Sequence, residues 1–288
     1  MSGGWGGWLR AFCRGLPLFA ALSGILLAMP GAARADEGAV DATAKSGTLK
    51  VAVYKDFFPY SDARDGGIDV DIAQALADAL GLKLSLLPFD AGEQINDDLR
   101  NMVWKGHYLG YGPADVMMHV PSDPMLARQN EKVSIFGAYQ VESVALSVNR
   151  ERIPDWQGLE IFTREKIAVD GGSFSAQIIL MADGGRYKDN VLIRPNVRAA
   201  LEELKSGKAA AVMATRSELQ AGGGATAPYS LVDANIPGTP LRSWAVGLAV
   251  KSERQELATK LAAAMRQLQA SGAIAAIFER HGVRNVQP

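Results

Sequence analysis

Residues 49–54 (LKVAVY), 68–81 (IDVDIAQALADALG) and 82–86 (LKLSL) decide the fold of this chain. The first run is β-branched and apolar and has the length of a strand. The second carries apolar residues at the four-residue spacing of an amphipathic helix: Ile72, Leu76, Leu80. Asp69 is its expected N-cap, and Gly81 ends it. The third alternates Leu with Lys and Ser, so the order predicts the βαβ unit of a parallel sheet.

A second unit with the same order follows. Residues 166–170 predict a strand that ends at a Gly-Gly pair, and residues 209–214 predict another strand. Between them, Asn196 is the expected N-cap of a helix with apolar residues at helical spacing: Val197, Leu201, Leu204. The extended stretch 139–148 separates the two units. Two α/β units separated in this way predict two lobes.

The C-terminal part predicts a strand over 246–250 and two helices. The first helix stops at Ser271-Gly272 and has an apolar stripe: Leu257, Leu261, Met265, Leu268. The second is short and has a similar stripe: Ile274, Ile277, Phe278. Stripes with this spacing are core positions, and no function is assigned to them.

Residues 1–35 differ in composition from the rest. Two arginines precede an apolar run over 16–29, and Ala33-Arg34-Ala35 offers small residues at both recognition positions of a cleavage site. This order is typical of a signal peptide cleaved after Ala35, and it predicts export to the periplasm. A transmembrane anchor is the alternative, but the apolar run has about 14 residues, whereas a span needs roughly 20. The exported chain is therefore expected to have no membrane-inserted segment.

The exported chain is predicted to be mildly acidic and free of cysteine. The full chain has 30 Lys and Arg against 31 Asp and Glu, and cleavage removes three arginines, so the net charge falls from −1 to −4. Nucleic acid and anionic membranes favour a basic face and are not expected as partners. Cys13 lies in the leader, which excludes disulfides and thiolate sites from the exported chain. Catalytic, phosphate-binding and metal motifs are absent from the sequence, so no catalysis, metal or cofactor is expected.

Four stretches together resemble one family. They are GTLKVAVYKDFFPY (47–60), GGIDVDIAQALADALGLKL (66–84), ELKSGKAAAVMAT (203–215) and VGLAVKSERQELATKLAAAMRQLQASGAIAAIFERHGV (246–283). In this order they resemble the type II periplasmic solute-binding proteins of the amino-acid-transport class (family 3). The resemblance implies a two-lobed α/β fold in which each lobe is a mainly parallel sheet flanked by helices.

In that family the chain crosses between the lobes twice, which implies crossings near 139–143 and 241–245 here. The implied division is a leader over 1–35, a first lobe over 36–140 completed by 244–288, and a second lobe over 141–243. Ligands of this fold lie in the cleft between the lobes, at the carboxyl ends of strands.

Residues 96–124 carry a narrower resemblance. The segment NDDLRNMVWKGHYLGYGPADVMMHVPSDP is foreign to ordinary members of the class. It is similar to the J proteins of methanol-oxidation clusters (MoxJ and XoxJ), which are encoded beside pyrroloquinoline-quinone methanol dehydrogenases. The similarity implies an accessory role in maturing or activating such a periplasmic quinoprotein dehydrogenase.

The positions that hold the ligand in amino-acid binders are altered here. Those proteins hold the ligand ammonium with an Asp at the end of the strand after the Ser-Gly-Lys turn, and the matching residue is Thr215. A hydroxyl cannot replace that charge-assisted bond and no acid is expected nearby, so free L-amino acids are expected to bind poorly. Their carboxylate anchor is an Arg, for which Arg128 is the candidate, although its register is off by a residue or two. Arg128 is either that anchor or a solvated loop arginine.

Further side chains are expected at the cleft. Ser173 and Phe174 occupy the strand-to-helix turn that binds anions in this family, but the preceding Asp170 either repels an anion or caps the helix. Four rings follow the first strand and predict an aromatic cleft wall or a partner surface: Tyr54, Phe57, Phe58, Tyr60. His119, at the end of a strand, either faces the cleft or packs in the core or at the rim.

Residues 101–114 (NMVWKGHYLGYGPA) are predicted to form an added loop beside the cleft. Large rings alternate with glycines in this segment, and rings of this kind dominate protein interfaces. Contacts to a protein partner are therefore assigned to four residues: Trp104, His107, Tyr108, Tyr111. The alternative is that the rings pack into the first lobe and leave a rigid bulge.

Three functions follow from these patterns. The preferred one is a non-catalytic accessory protein that binds a PQQ-dependent methanol dehydrogenase. The alternative is the substrate-binding component of an ABC transporter, which delivers a small polar solute to a permease. The third is an enzyme on this fold, such as a dehydratase, which needs an acid–base pair in the cleft that the sequence does not predict.

Overall fold

The computed structural model describes Thr43 and residues 46–62, 66–234 and 243–288. The predicted signal peptide over 1–35 and part of the crossing expected at 241–245 lie outside these residues. Within the described part of the chain, no helix combines the length and the apolar character that crossing a bilayer requires.

The first lobe contains the predicted βαβ unit. Strands β1 (Thr48–Tyr54) and β2 (Lys83–Phe89) are parallel, and helix α1 (Ile68–Ala79) connects them. The helix buries one stripe of side chains: Ile72, Ala73, Leu76, Ala77. Its N-cap is Gly67, so the prediction of Asp69 as N-cap is wrong. Asp69 lies inside the helix and is buried, where its carboxylate meets partners from distant strands.

The predicted loop over 101–114 begins later than expected. Helix α2 (Ile95–Leu99) continues through a wide helical turn over Arg100–Trp104, and the loop starts only at Lys105. The turn forms because Met102 and Val103 are buried in the apolar core of the first lobe. Strand β3 (Val116–Pro121) then pairs with β1 in parallel, and helix α3 (Pro124–Gln129) follows it.

Strand β4 (Val133–Asn149) leads from the first lobe into the second. The strands of the second lobe are β5 (Ile167–Asp170), β6 (Val191–Arg194), β7 (Ala211–Thr215) and β8 (Tyr229–Asp233). Its helices are α4 (Phe174–Met181), α5 (Val197–Lys205) and α6 (Arg216–Ala221), with short 3-10 turns at Leu159–Thr163, Ala182–Gly184 and Lys188–Asn190. The chain then returns to the first lobe through strand β9 (Ser243–Lys251) and helices α7 (Gln255–Ala270) and α8 (Ala273–Arg280).

Strands β4 and β9 join the two lobes. The strand order is β2-β1-β3-β9-β4-β7-β5-β6, with β8 beside β4. β4 pairs with β9 from Val133 to Ser143, and its remaining residues pair with β7 and β8. The lobe boundaries near residues 140 and 243 remain predictions, and they fall within these two shared strands.

Each lobe has its own apolar core. In the first lobe, helices α1, α7 and α8 cover one face of the sheet with buried side chains: Leu49, Ile72, Leu248, Leu261, Met265, Phe278. In the second lobe, a separate cluster lies around strand β5: Leu146, Phe162, Ile167, Ile179, Tyr187, Met213. Burial of this apolar surface stabilises each lobe. The architecture is the predicted two-lobed α/β fold. The sheets are mixed and not mainly parallel as expected, because every pairing of β4 and β9 is antiparallel, whereas β1–β2, β1–β3, β5–β6 and β5–β7 are parallel.

Candidate functional site

A cavity of about 780 Å³ lies where strands of both lobes end. The carboxyl-terminal residues of four strands line it: Tyr54 of β1, Pro121 of β3, Asp170 of β5, Thr215 of β7. Ligands of open α/β sheets bind outside this edge, where the loops that follow the strands converge. The cavity is therefore the candidate binding site.

Aromatic rings form much of the cavity wall. Tyr54 and Phe57 meet edge to face with ring centroids 5.6 Å apart, and Phe57 stacks on Tyr60 at 5.6 Å. Phe174 of α4 and Trp244 of β9 form a second pair, with centroids 6.3 Å apart. The aromatic wall predicted from the sequence is therefore present, and Trp244 is an addition to it.

Arg198 connects the lobes at the cavity. Its guanidinium, on helix α5, donates to Asp62 Oδ2 at 3.0 Å and lies 4.4 Å from the centroid of the Phe58 ring. Phe58 and Asp62 both follow β1 in the first lobe, and Phe58 packs against the core of the second. These contacts hold side chains of both lobes together, and they neutralise the positive charge of Arg198.

A buried polar network lies behind the aromatic wall. The Tyr139 hydroxyl donates to Asp69 Oδ1 at 2.5 Å and accepts from the backbone N–H of His119 at 3.1 Å. His119 Nδ1 is 3.3 Å from Asp69 Oδ2, an electrostatic contact that lacks hydrogen-bond geometry. The His119 ring lines the cavity and packs 4.1 Å from the Tyr60 ring. His119 has φ 58°, an uncommon conformation for a residue with a side chain, which the surrounding contacts must stabilise.

Glu142 is a buried acid in the cavity lining, with 1% of its surface exposed. Its Oε1 accepts from the hydroxyls of Tyr60 and Ser217, whereas its Oε2 has no hydrogen-bond partner. Burial raises the pKa of Glu142 above its usual value, although the two hydroxyl donors oppose the shift. No local sequence pattern marks this residue, because it lies in the middle of an ordinary strand.

Thr215 and Glu218 form a capping box at the start of helix α6. Glu218 Oε2 accepts from both the backbone N–H and the hydroxyl of Thr215, each at 2.8 Å. Burial, with the nearby charges of Glu142 and Asp170, raises the pKa of Glu218 to about 7. The expectation that no acid lies near Thr215 is therefore wrong. The Thr-x-x-Glu spacing was the signal that predicts this acid.

The turn after β5 is built on two side chains. Asp170 Oδ1 accepts from the backbone N–H of Gly172 at 2.9 Å, and Ser173 is the N-cap of α4, accepting from the N–H of Ala176 at 3.1 Å. Asp170 therefore stabilises the turn and does not cap the helix. Its carboxylate also lines the cavity, which disfavours an anion at this end.

Arg128 does not line the cavity and is exposed on helix α3. Asp123 caps this helix and Leu126 is its buried residue, so a residue two positions later projects to another side of the helix. The assignment of Arg128 to the cleft is therefore wrong. Seven predicted cleft residues do line the cavity: Tyr54, Phe57, Phe58, His119, Ser173, Phe174, Thr215.

The four residues assigned to a partner loop do not behave alike. Trp104 and Tyr111 pack against the core of the first lobe, and the Lys132 ammonium lies 4.3 Å from the Trp104 ring centroid. His107 stacks on Tyr111 at 4.3 Å, while Tyr108 is 88% exposed. None of the four lines the cavity. Since a helix and the core hold two of the rings, the exposed part of the loop is its tip.

Metal binding has no support in the described part of the chain, where no cluster of three or more His, Cys, Asp or Glu side chains has suitable geometry. His119 is near one carboxylate, and His281 Nε2 is 3.0 Å from Asp71 Oδ2 on the far side of α1.

Comparison with known proteins identifies solved structures that share this fold. No model of a known protein family matches the chain. An ancestral cationic amino-acid solute-binding protein has a TM-score of 0.65 at 24% identity, over 85% of this chain and 99% of its own. An amino-acid ABC transporter substrate-binding protein from Streptococcus pneumoniae, bound to L-arginine, has a TM-score of 0.60 at 20% identity, over 86% and 99%. A polar amino-acid uptake protein from Streptococcus thermophilus has a TM-score of 0.62 at 15% identity, over 86% and 90%.

A curated relative gives a shorter match. Cyclohexadienyl dehydratase of Pseudomonas aeruginosa is 37% identical over 75 residues, which are 25% of this chain and 28% of the dehydratase. The match thus spans about a quarter of either protein. Together, the structural neighbours confirm that this chain has the two-lobed fold of type II periplasmic binding proteins.

Proposed function

We propose that the chain is the substrate-binding component of an ABC transporter and binds a small polar solute between its lobes. The observation that carries the proposal is the cavity of about 780 Å³ at the carboxyl ends of the strands of both lobes. Its volume suits a solute of metabolite size. Structural neighbours described as substrate-binding proteins of amino-acid ABC transporters support this role.

Transport of this kind requires export, so we include a periplasmic location in the proposal. It is supported by the leader-like composition of residues 1–35. Intact mass spectrometry of the secreted protein tests it, since cleavage after Ala35 leaves Asp36 as the first residue. A full-length species confined to the membrane fraction would contradict periplasmic release.

Titration calorimetry against small solutes of each charge class tests the binding role. A receptor is expected to bind at least one of them with a Kd on the order of 1 μM, or about −8 kcal/mol. Loss of binding when cavity rings such as Phe174 and Trp244 are replaced by Ala would locate the site. Failure of every class to bind would exclude a solute receptor.

A dehydratase activity is the second candidate, because the cavity holds an acid and a histidine after all. Glu142 and His119 both line it, and Glu142 presents an unpartnered oxygen. A raised carboxyl pKa suits a general acid, and the partial match to cyclohexadienyl dehydratase points the same way. Mass spectrometry of a bound solute after prolonged incubation separates the candidates. A receptor returns it unchanged, whereas a dehydratase returns a product that has lost water.

The accessory role toward a PQQ-dependent methanol dehydrogenase rests on the resemblance of residues 96–124, and the relatives support transport better. Its test uses Tyr108→Ala and Leu109→Ala, because these side chains are 88% and 67% exposed. Trp104 and Tyr111 are unsuitable because their replacement would disturb the core. Retention of the dehydrogenase by wild type and its loss in both variants would establish the accessory role.

A further inference from the structure

One part of the described cavity lining is rich in carboxyl groups. Three carboxyl groups reach it from different elements: Glu142 of β4, Asp170 of β5, Glu218 of α6. Their proximity is seen in Glu218, whose pKa is raised by the charges of both other groups as well as by burial. Three carboxyls on one cavity face favour a bound cation.

One of these carboxyls is incompletely bonded. Glu142 is 1% exposed, and its Oε2 has no hydrogen-bond partner although Oε1 has two donors. A buried polar oxygen without a partner costs about 1–3 kcal/mol, and more when charged. Glu142 lines the cavity while Oε2 itself is buried, so a rotation of the carboxyl group toward the cavity would let a donor on a bound solute satisfy that oxygen.

Two basic groups of the described lining have carboxylate partners. Arg198 donates to Asp62 and the Lys55 ammonium is 2.9 Å from Asp90, whereas His119 Nδ1 lies 3.3 Å from Asp69 without a hydrogen-bond partner. A solute carboxylate would have to compete with Asp62 or Asp90 for these cations, or lie beside Asp170 at the α4 turn. Burial of a charge without a partner is costly, so the cavity disfavours a carboxylate.

The aromatic wall suits a cation for a separate reason. The faces of Tyr, Phe and Trp rings attract ammonium and guanidinium groups, and each such contact contributes about 0.5–2 kcal/mol. Rings from both lobes surround the cavity, including Phe57, Phe174 and Trp244. A solute with an apolar stem and a cationic head fits both the rings and the acids.

We propose that the solute of this cavity is an organic amine or amidine without a carboxylate, and that its cationic group binds Glu142 Oε2. This inference rests on the proposed receptor function and adds the chemical class of the solute. Glu218 and Asp170 complete the carboxyl-rich part of the site.

Binding is then linked to pH. The groups that face Glu142 are Tyr60 after β1, His119 of β3, and Ser217 and Glu218 of α6. Burial raises the pKa of Glu142, so a cation that binds Oε2 competes with a proton over a wider pH range than it would at a free carboxyl. Affinity for the amine is therefore expected to fall as the pH is lowered from 8 to 5.

Calorimetry of the exported chain with agmatine, L-arginine, sorbitol and succinate tests the inference. Agmatine and L-arginine differ by one carboxylate, and agmatine is expected to bind at least about tenfold more tightly, a difference of about 1.4 kcal/mol. Titrations in two buffers of different ionisation enthalpy should show proton release when agmatine binds. Thermal unfolding of each variant verifies that it is folded.

Glu142→Gln is the central variant, and Asp170→Asn is its matched control. Glu142→Gln keeps an acceptor for Tyr60 and Ser217, so it should fold, lose affinity for agmatine by about 100-fold and release fewer protons. Asp170→Asn also removes one negative charge from the lining but should keep the proton release. If Glu142→Gln is unstable, two measurements on wild type test the inference instead. They are the ratio of its affinities for agmatine and L-arginine and its proton release when agmatine binds.

The outcomes of these titrations distinguish failure of the amine inference from failure of the proposed receptor function. Tighter binding of sorbitol, succinate or L-arginine than of agmatine would overturn the inference and leave the receptor standing. Unchanged agmatine affinity in folded Glu142→Gln would also overturn it. If wild type binds none of the four solutes, the inference fails and the wider solute screen decides the receptor function.

Discussion

The two sides of the cavity are stabilised in different ways. On the side of the first lobe and the shared strand β4, polar groups meet across long stretches of chain: Tyr139 donates to Asp69, 70 residues away, and Tyr60 donates to Glu142, 82 residues away. On the side of the second lobe, the helices that face the cavity begin with caps between residues three apart: Ser173 with Ala176, Asn196 with Ala199, Thr215 with Glu218. The long-range contacts form only when the whole fold has formed, whereas each cap can form with its own helix.

The largest effect on stability is expected where polar groups meet across long stretches of chain. Tyr139→Phe removes the hydroxyl that donates to Asp69, a carboxylate with 1% of its surface exposed, and also removes the acceptor of the His119 N–H. Leaving a buried carboxyl group and a buried backbone N–H without these partners should lower the free energy of unfolding by about 3 kcal/mol. Urea denaturation measures this difference.

Tyr108→Phe is the matched control, because it removes the same atom from a side chain that is 88% exposed. Its free energy of unfolding should stay within about 0.5 kcal/mol of wild type. A Tyr139→Phe variant as stable as this control would mean that the network behind the aromatic wall contributes nothing to folding.

The second effect concerns Glu218, an enclosed acid on the side of the cavity where the helix caps lie. The pKa of Glu218 rises on folding from 4.5 to about 7, so between these values the folded chain retains a proton that the unfolded chain has lost. The free energy of unfolding should therefore fall as the pH rises from 4.5 through 7. The full shift corresponds to about 3 kcal/mol, and we expect about 2 kcal/mol because Glu218 is partly exposed to solvent.

Glu218→Gln isolates this contribution, since the amide oxygen can still accept from Thr215. Denaturation at pH 5, 6, 7 and 8 should show a flatter pH dependence than wild type and greater stability at pH 8. Glu203→Gln is the control, because pairing with Arg194 at 2.9 Å lowers the pKa of Glu203 and places its titration below this range. An identical pH slope in wild type and Glu218→Gln would contradict the assignment.

The caps of the second lobe should each contribute less. Thr215→Ala and Asn196→Ala remove side chains that accept from backbone N–H groups of Glu218 and Ala199. Each loss should lower the free energy of unfolding by about 1 kcal/mol, as is usual for an N-cap. The double variant should lose the sum, since the caps belong to separate helices. A loss as large as that of Tyr139→Phe would remove the distinction between the two sides.

The same distinction explains what the sequence could predict. The βαβ unit, the Asn196 cap and the two C-terminal helices follow from apolar spacing and cap residues, and the structure confirms them. Four strands that end at one edge of the sheets place seven of the eight predicted cleft residues around the cavity. These features depend on local pattern and on the general geometry of α/β sheets.

Local sequence patterns do not reveal the roles of the acids at and behind the cavity wall, for two reasons. Glu142 gives no local signal, because only its contacts with Tyr60 and Ser217 distinguish it from a solvent-facing strand residue. Asp69 was assigned to a cap because an acid at a helix start usually has that role, but the chain buries it against Tyr139. Glu218 differs from both, since the Thr-x-x-Glu pattern indicates a capping box in the sequence itself.

The smallest effect is expected for the ion pair that joins the two sides. Asp62 of the first lobe and Arg198 of the second are 3.0 Å apart, and the Arg198 side chain is 47% exposed. Water screens such a pair, so a double-mutant cycle with Asp62→Asn and Arg198→Met should give a coupling of about 0.5 kcal/mol in unfolding experiments. The coupling should fall when salt is raised from 0.1 M to 1 M, because the screening length drops from about 10 Å to 3 Å. Glu160 and Arg186 supply the control, an exposed pair within the second lobe whose coupling should be equally small. A coupling above about 2 kcal/mol that resists salt would show that this contact is as integral to the fold as the buried network, and that the two sides are not stabilised independently.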